Sequence, residues 1–456
     1  MNYHTTGTAS SERFFDQPRA MWATAFAATV GFMSIGLVDP ILTSIAAGLH
    51  AGPAEVSWLF TSYFLVTSFM MLITGWVSSR LGARATLIVG ALLIVVFSAL
   101  AGTSNSVVEL ALFRGGWGLG NAFFVVTALS VLVTVTRGGT SRAILFYEAA
   151  IGIGMSGGPL LGAALGSWSW RWPFFGTAAL MGIGLLAISL FLPSIPRPKE
   201  KISLSAPLLA LGHPGLFTVA LASFFYFFAF FTVLAFVPFV LEMSPAAVGG
   251  IFFGWGLLLA VSSVFAAPRA EARFGLVPVM TACLVTLAAL LLVMGFAPRP
   301  VVAACVILSG AVMGVCNTLF TELALEISDA PRSAASAGYN FLRWLAGVVA
   351  PYTVPKIAEF AGVHVAFVVA AAAALVGPLV FIARRNSLQK ALPVEVLPST
   401  RRDGLIIAAI DGSSSDDPVL ERTIALARET AAIALLLHVQ MDEVMGDEMI
   451  ETEAAK

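Results

Sequence analysis

Asp39 and Arg114 stand where ionisable side chains are costly. Asp39, followed by Pro40, lies in the apolar stretch 21–50, and Arg114 lies in another at 107–136. A charge at mid-bilayer costs ~2.5–3.5 kcal/mol on insertion scales, so both side chains must face protein or water. The chemistry open to a carboxylate there is reversible protonation. A nearby guanidinium favours the charged carboxylate, and a distant one lets it take up a proton. Arginine has no cheap neutral form, so Arg114 needs an acceptor or bonds backbone carbonyls. Glu148, about two turns inside a further apolar stretch, either joins the proton chemistry or snorkels to the interface.

Other polar groups suggest a cavity. Trp117 and Asn121 are one turn apart on the Arg114 helix, and Tyr226 sits in the aromatic run 224–231. The Tyr226 hydroxyl needs a partner, which makes it the candidate cavity member of that run. Asn340 and Arg343, in GYNFLRWLAG, either line the cavity from the other half of the chain or cap helix contacts. Aromatic walls suit amphipathic, planar or cationic compounds. Glu322 and Glu326 read as interfacial.

The elements that position these groups follow from composition. The chain has 456 residues, 58% hydrophobic and 11% charged, with a formal net charge of −1. Its mean hydropathy is +0.91. Soluble domains carry about 25% charged residues, so this is a membrane protein. Gly, Pro and charge punctuation divides the apolar sequence into twelve spans near 20–48, 54–79, 84–102, 107–136, 141–166, 171–192, 214–242, 246–268, 275–297, 300–328, 332–360 and 363–385. With a cytoplasmic N-terminus, twelve Lys/Arg fall in inward loops against three (Arg171, Arg299, Lys356) in outward ones, which also places the C-terminus inside. The first span is too long for a signal-peptide core and reads as a retained anchor. Cys283, Cys305 and Cys316 lie in apolar runs and read as small buried hydrophobes, not as disulfide or metal-ligand residues. No Lys/Arg cluster suggests a nucleic-acid face, and no phosphate loop, nucleophile–base pair or metal-ligand spacing suggests an enzyme or a cofactor.

The expected architecture is an all-α membrane protein of two six-helix bundles, 19–192 and 214–385. A tail at 1–18, a linker at 193–213 and a C-terminal tail at 386–456 complete it. GWVSSRLG at 75–82 and PRAEARFG at 268–275 occupy matching places in the halves, at an offset of 193. Two such halves with a site between them are what an alternating-access carrier needs.

Three motifs carry a resemblance. Gly75, Arg80, Gly82 and Arg84 resemble the loop between helices two and three of the major facilitator superfamily, with Ser79 where the family usually has Asp. Residues 110–122, LALFRGGWGLGNA, resemble its fourth-helix motif, with Trp117 in the usual Gln place. Gly154, Gly158, Pro159 and Gly162 resemble the fifth-helix motif of family antiporters, whose last Gly is Ala163 here. The resemblance covers 21–386 and is to the twelve-helix drug–proton antiporters. It implies a central cavity in the cell membrane, proton-driven export of small amphipathic compounds, coupling through Asp39 and Arg114, and no required oligomer. Alternatives are a proton-coupled sugar or metabolite carrier, or a membrane sensor signalling through its tail.

The tail has a different texture, holding 13 of the 26 acidic residues. It reads as a strand at 405–410, a turn from Asp411, a helix opened by Asp417-Pro418 and a strand at 432–439. This resembles the opening βαβ unit of universal stress protein domains, without the later glycine-rich phosphate loop. ATP binding is therefore not expected.

Overall fold

The computed structural model describes residues 16–137, 139–196, 202–328, 330, 332–384, 405–410 and 433–438. Twelve long helices run in sequence order. The first six are α1 (Arg19–Gly48), α2 (Pro53–Leu81), α3 (Ala83–Thr103), α4 (Val107–Val135), α5 (Gly139–Gly166) and α6 (Trp172–Phe191). After a short linker helix, Ala206–Leu211, come α7 (Pro214–Leu241), α8 (Pro245–Phe274), α9 (Leu276–Phe296), α10 (Arg299–Glu326), α11 (Arg332–Ala361) and α12 (Val363–Ala383).

Among the described residues eleven helices are long and apolar enough to cross a membrane, one fewer than expected from sequence. The exception is α11. It is 30 residues long but carries Arg343, Lys356, Glu359, Pro351 and Pro355. It nonetheless packs along α2 and α7 inside the bundle. Arg343 is half-buried among those helices, while Lys356 and Glu359 stay exposed near the C-terminal end of α11.

The two halves repeat one packing plan. In the first, α1 lies on α5 and α6, α2 on α4, and α3 on α4 and α6. Each pairing recurs six helices later, as α7 on α11 and α12, α8 on α10, and α9 on α10 and α12. The halves meet through α2 against α11 and α5 against α8. Local geometry repeats as well. Gly82 between α2 and α3 has φ 89° and ψ 151°, and Gly275 between α8 and α9 has φ 80° and ψ 156°. Only glycine adopts such angles without strain. A Cβ on Gly118 would lie 2.4 Å from the Tyr63 carbonyl oxygen; on Gly310 it would lie 2.1 Å from that of Trp255. Both positions are offset by 192 residues, and in each half they bring two helix backbones into contact.

Burial separates core from periphery. Of the apolar windows of α1 and α7, 83% and 78% are buried, against 28% for α6 and 33% for α9. Leu186 and Leu190 on α6 and Leu379 and Ile382 on α12 stay exposed, as lipid-facing side chains do. Trp168 and Trp172 are exposed at the α5–α6 turn, in keeping with an interfacial aromatic belt.

The helices form one compact unit within Met1–Leu392, and Pro393–Lys456 forms another. In the latter, β1 (Leu405–Ile410) and β2 (Ile433–His438) pair in parallel, Leu405 opposite Ile433. The expected helix between them and the Asp411 turn lie outside the described residues.

Candidate functional site

The first helix is not continuous at Asp39. A 3-10 turn, Asp39–Ile41, interrupts α1, and Leu42–Gly48 resumes it. Pro40 lacks the N–H that an unbroken helix would use there. Asp39 is 1% exposed, and neither carboxylate oxygen accepts a hydrogen bond.

Arg114 is equally enclosed, on α4. Gly118, one turn on, lets α2 approach so closely that the Tyr63 ring lies under the guanidinium, 4.3 Å from its carbon. The Trp117 ring lies 4.7 Å away. These faces supply cation–π attraction, yet Nε and Nη1 donate to nothing. Asp39 and Arg114 are within electrostatic reach of each other, but no ion pair joins them. Among the described residues the one ion pair is that of Arg299 with Glu242, on the surface.

Buried polar atoms normally have partners. Here both Asp39 carboxylate oxygens, the Tyr63 hydroxyl, Nε and Nη1 of Arg114, the Trp117 indole N–H and both ends of the Asn121 amide lack them. The sequence singles out all of these but Tyr63: Asp39 and Arg114 for proton coupling, Trp117 and Asn121 for the cavity. The signal for Tyr63 was an aromatic with a polar tip inside a span.

A second feature lies between the halves. A cavity of about 60 Å³ is bounded by Phe32 and Ile35 of α1 and Ile151 and Met155 of α5. Phe227, Phe230 and Phe231 of α7, Leu259 of α8, Asn317 of α10, and Arg343 and Trp344 of α11 complete it. Drug-sized ligands need ~300–1,000 Å³, so the cavity as it stands is too small to hold one. Phe64 of α2 closes one flank, 4.4 Å between ring centroids from Phe231 and 5.3 Å from Trp344. Gly347 makes room for it, since a Cβ there would sit 2.7 Å from the Phe64 ring. Tyr63 and Phe64 are edge-to-face at 5.1 Å, so the Arg114 cluster and the cavity wall share adjacent residues of α2.

Of the residues expected to line the cavity, Arg343 does. Tyr226 faces its own half instead. Its hydroxyl donates to the Met313 carbonyl at 2.8 Å, and its ring stacks on Phe320. Asn340 turns to its own helix, donating to the Ser336 carbonyl at 2.9 Å. Trp117, against Arg114, and Asn121 are both fully buried and do not line the cavity. The Glu148 side chain lies outside the described residues. Sequence reasoning missed Phe32, Met155, Asn317 and Trp344. They show as ordinary apolar or small polar residues, and only the meeting of the halves distinguishes them.

The glycines of α5 form a seam with α1. A Cβ on Gly154 would lie 2.6 Å from the Thr29 carbonyl oxygen, on Gly158 2.4 Å from that of Met33, and on Gly162 2.1 Å from that of Leu37. Both members advance by four residues at each step, so two parallel helices touch over two turns. Gly36 packs against Pro159. On the opposite flank, Gly249 and Gly256 of α8 meet Pro159, Ala163, Met155 and Ser156. Ala163, where a glycine was the expected residue, therefore fits because Gly249 yields the space.

At the α2–α3 turn, Arg84 donates to the Ser189 carbonyl at 3.0 Å and ties α3 to α6. Arg80 covers the Trp76 ring at 4.1 Å. Gly75 lies near Ile202 of the linker. Ser79 bonds within its own helix, to the Trp76 carbonyl, so this position supplies no charged lock.

The profile of the Major Facilitator Superfamily matches residues 24–242 and 216–410. The chain is 45% identical over 386 residues to the multidrug efflux protein YfmO of Bacillus subtilis (strain 168), covering 84% of this chain and 98% of that one. It is 30% identical over 206 residues to the putative multidrug resistance protein MdtD of Escherichia coli (strain K12 / DH10B), covering 44% and 43%. Among solved structures, the D-xylose-proton symporter matches with a TM-score of 0.66 at 15% identity, over 82% of this chain and 98% of that one. The human organic anion transporter MFSD10 matches with a TM-score of 0.62 at 19% identity, over 79% and 98%. At such identities these two share the fold alone. A multi-pass membrane chain of this kind is a transporter-family protein and not an enzyme. On the strength of the profile match and the relative it resembles almost end to end, the chain belongs to the major facilitator superfamily.

Proposed function

We propose that this chain is a proton-coupled secondary transporter that exports small amphipathic compounds by alternating access. It sits in the cell membrane with both termini in the cytoplasm and acts without needing an oligomer. The observation that carries the reading is Asp39: a fully enclosed carboxylate with no hydrogen bond, within electrostatic reach of an equally enclosed Arg114. Keeping such a group in a membrane interior is expensive and gives selection a reason only if it titrates. The kinship with a multidrug efflux protein supports export.

In this scheme Asp39 takes a proton when it reaches water on one side, and Arg114 helps expel it on the other. The 3-10 turn at Asp39–Ile41 lets the two legs of α1 move separately. The α5 seam seals the passage against α1 and α8. Phe64, between Phe231 and Trp344, is the contact that breaks when the halves part.

Proteoliposomes with an imposed pH gradient test the reading. Asp39→Asn, which keeps shape but cannot titrate, is expected to lower gradient-driven flux at least about tenfold while counterflow down a substrate gradient persists. Full gradient-driven transport by that variant would refute the role of Asp39.

The parallel pair β1–β2 supports a second, additional reading, that the tail is a fragment of a universal-stress-type domain with a regulatory part.

A further inference from the structure

Among the described residues, Arg343 is the one charged side chain on the wall of the cavity between the halves. Its Nη1 donates to the Thr321 hydroxyl at 3.4 Å, its guanidinium lies 4.5 Å from the Phe227 ring centroid, and its buried Nε donates to nothing. Among the described residues no acid forms an ion pair with it. The acids near the lining residues in sequence are engaged elsewhere or separate from it. Asp39, four residues past Ile35, interacts with Arg114; Glu322, five past Asn317, interacts with Glu271 and Glu326. Glu148, three before Ile151, has its side chain outside the described residues. The rest of the wall is aromatic or aliphatic apart from Asn317.

We propose that this cavity selects amphipathic compounds with a planar apolar body and an anionic head. The head seats on Arg343, with Asn317 and Thr321 beside it, and the body lies against Phe32, Phe231 and Trp344. The proposal rests on the reading of the cavity as the transport site. A carboxylate or sulfonate supplies the counter-charge the wall lacks, through charge-assisted hydrogen bonds to a planar donor fork. In an apolar enclosure that attraction is stronger than in water. A cationic head meets the opposite situation: a like charge on the wall and no described carboxylate to offset it. Repulsion of this kind is how a site rejects the wrong ligand.

The test uses full-length protein in lipid nanodiscs and equilibrium dialysis against two probes, 1-naphthoate and 1-naphthylmethylammonium. They share a ring system and differ in head charge; empty nanodiscs correct for partition into lipid. Naphthoate is expected to bind at least about tenfold tighter. Arg343→Gln is expected to lose at least about tenfold for naphthoate and to hold or gain affinity for the ammonium, which also shows that it folds. Should it lose both probes, Arg343→Lys decides, and is expected to keep the preference for naphthoate. Equal or reversed preference in the unaltered protein overturns the proposal, as an Arg343 already neutralised by Glu148 would produce. So does naphthoate binding that is unchanged in Arg343→Gln, or a preference lost in Arg343→Lys when Arg343→Gln binds neither probe. Flux in proteoliposomes separates this from the export reading. Arg343-dependent naphthoate binding without gradient-driven flux sinks export and leaves the anion site standing. Gradient-driven flux with a preference for the ammonium does the reverse.

Discussion

Tyr63 is the residue that sequence reasoning passed over. Its ring holds the Arg114 guanidinium from below, while its hydroxyl has no partner. The two functions are separable. Tyr63→Phe keeps the ring and removes a buried hydroxyl that has no partner, so it is expected to hold or raise stability. Tyr63→Ala removes the cation–π contact, worth about 0.5–2 kcal/mol, and frees Arg114 to move. Gradient-driven flux should therefore survive the first change and fall in the second. Loss in Tyr63→Phe would instead place the hydroxyl on the proton's route. Asp39 and Arg114 were legible because charge in an apolar stretch is rare and costly. Tyr226 was misjudged because a hydroxyl needs some partner, and sequence does not say that the partner is the Met313 carbonyl rather than a ligand.

At the scale of elements, the helix boundaries were legible to within two residues, since glycine, proline and arginine punctuate long apolar runs, except that α8 runs on to Phe274 past the expected 268. The break in α1 was not, because proline in a span is compatible with either a bend or an interruption. The seam between α1 and α5 was half legible. The glycine spacing gave close approach, but not which helix approached. Gly158 carries a direct prediction. A methyl group there would sit 2.4 Å from the Met33 carbonyl, so Gly158→Ala forces two backbones apart. Overpacking of this kind costs about 1–3 kcal/mol, which a thermal melt in detergent should register as a lower midpoint. Gly157, with nothing within 4 Å of its added Cβ, is the internal control: Gly157→Ala should hold or raise the midpoint.

At the scale of the molecule, the two halves were legible through the repeat at 75–82 and 268–275, and Gly82 and Gly275 share their backbone angles. The cavity wall was not legible, because it exists only where residues far apart in sequence converge. The helices and the tail are separate compact units. A chain ending at Leu392 is therefore expected to insert, melt within a few degrees of the full chain and retain gradient-driven flux. A truncated chain that inserts but no longer transports would make the tail part of the carrier's working parts. The α1–α5 seam has one more consequence, and it concerns the host rather than the cargo. A cell stores energy as an ion difference across the same bilayer this protein perforates. Three successive places where one backbone rests on another close that boundary tightly, and in the proposed scheme they act as electrical insulation. Widening it would short-circuit the store continuously, with or without anything to export, and a strain carrying such a variant should grow more slowly in proportion to the amount of protein it makes.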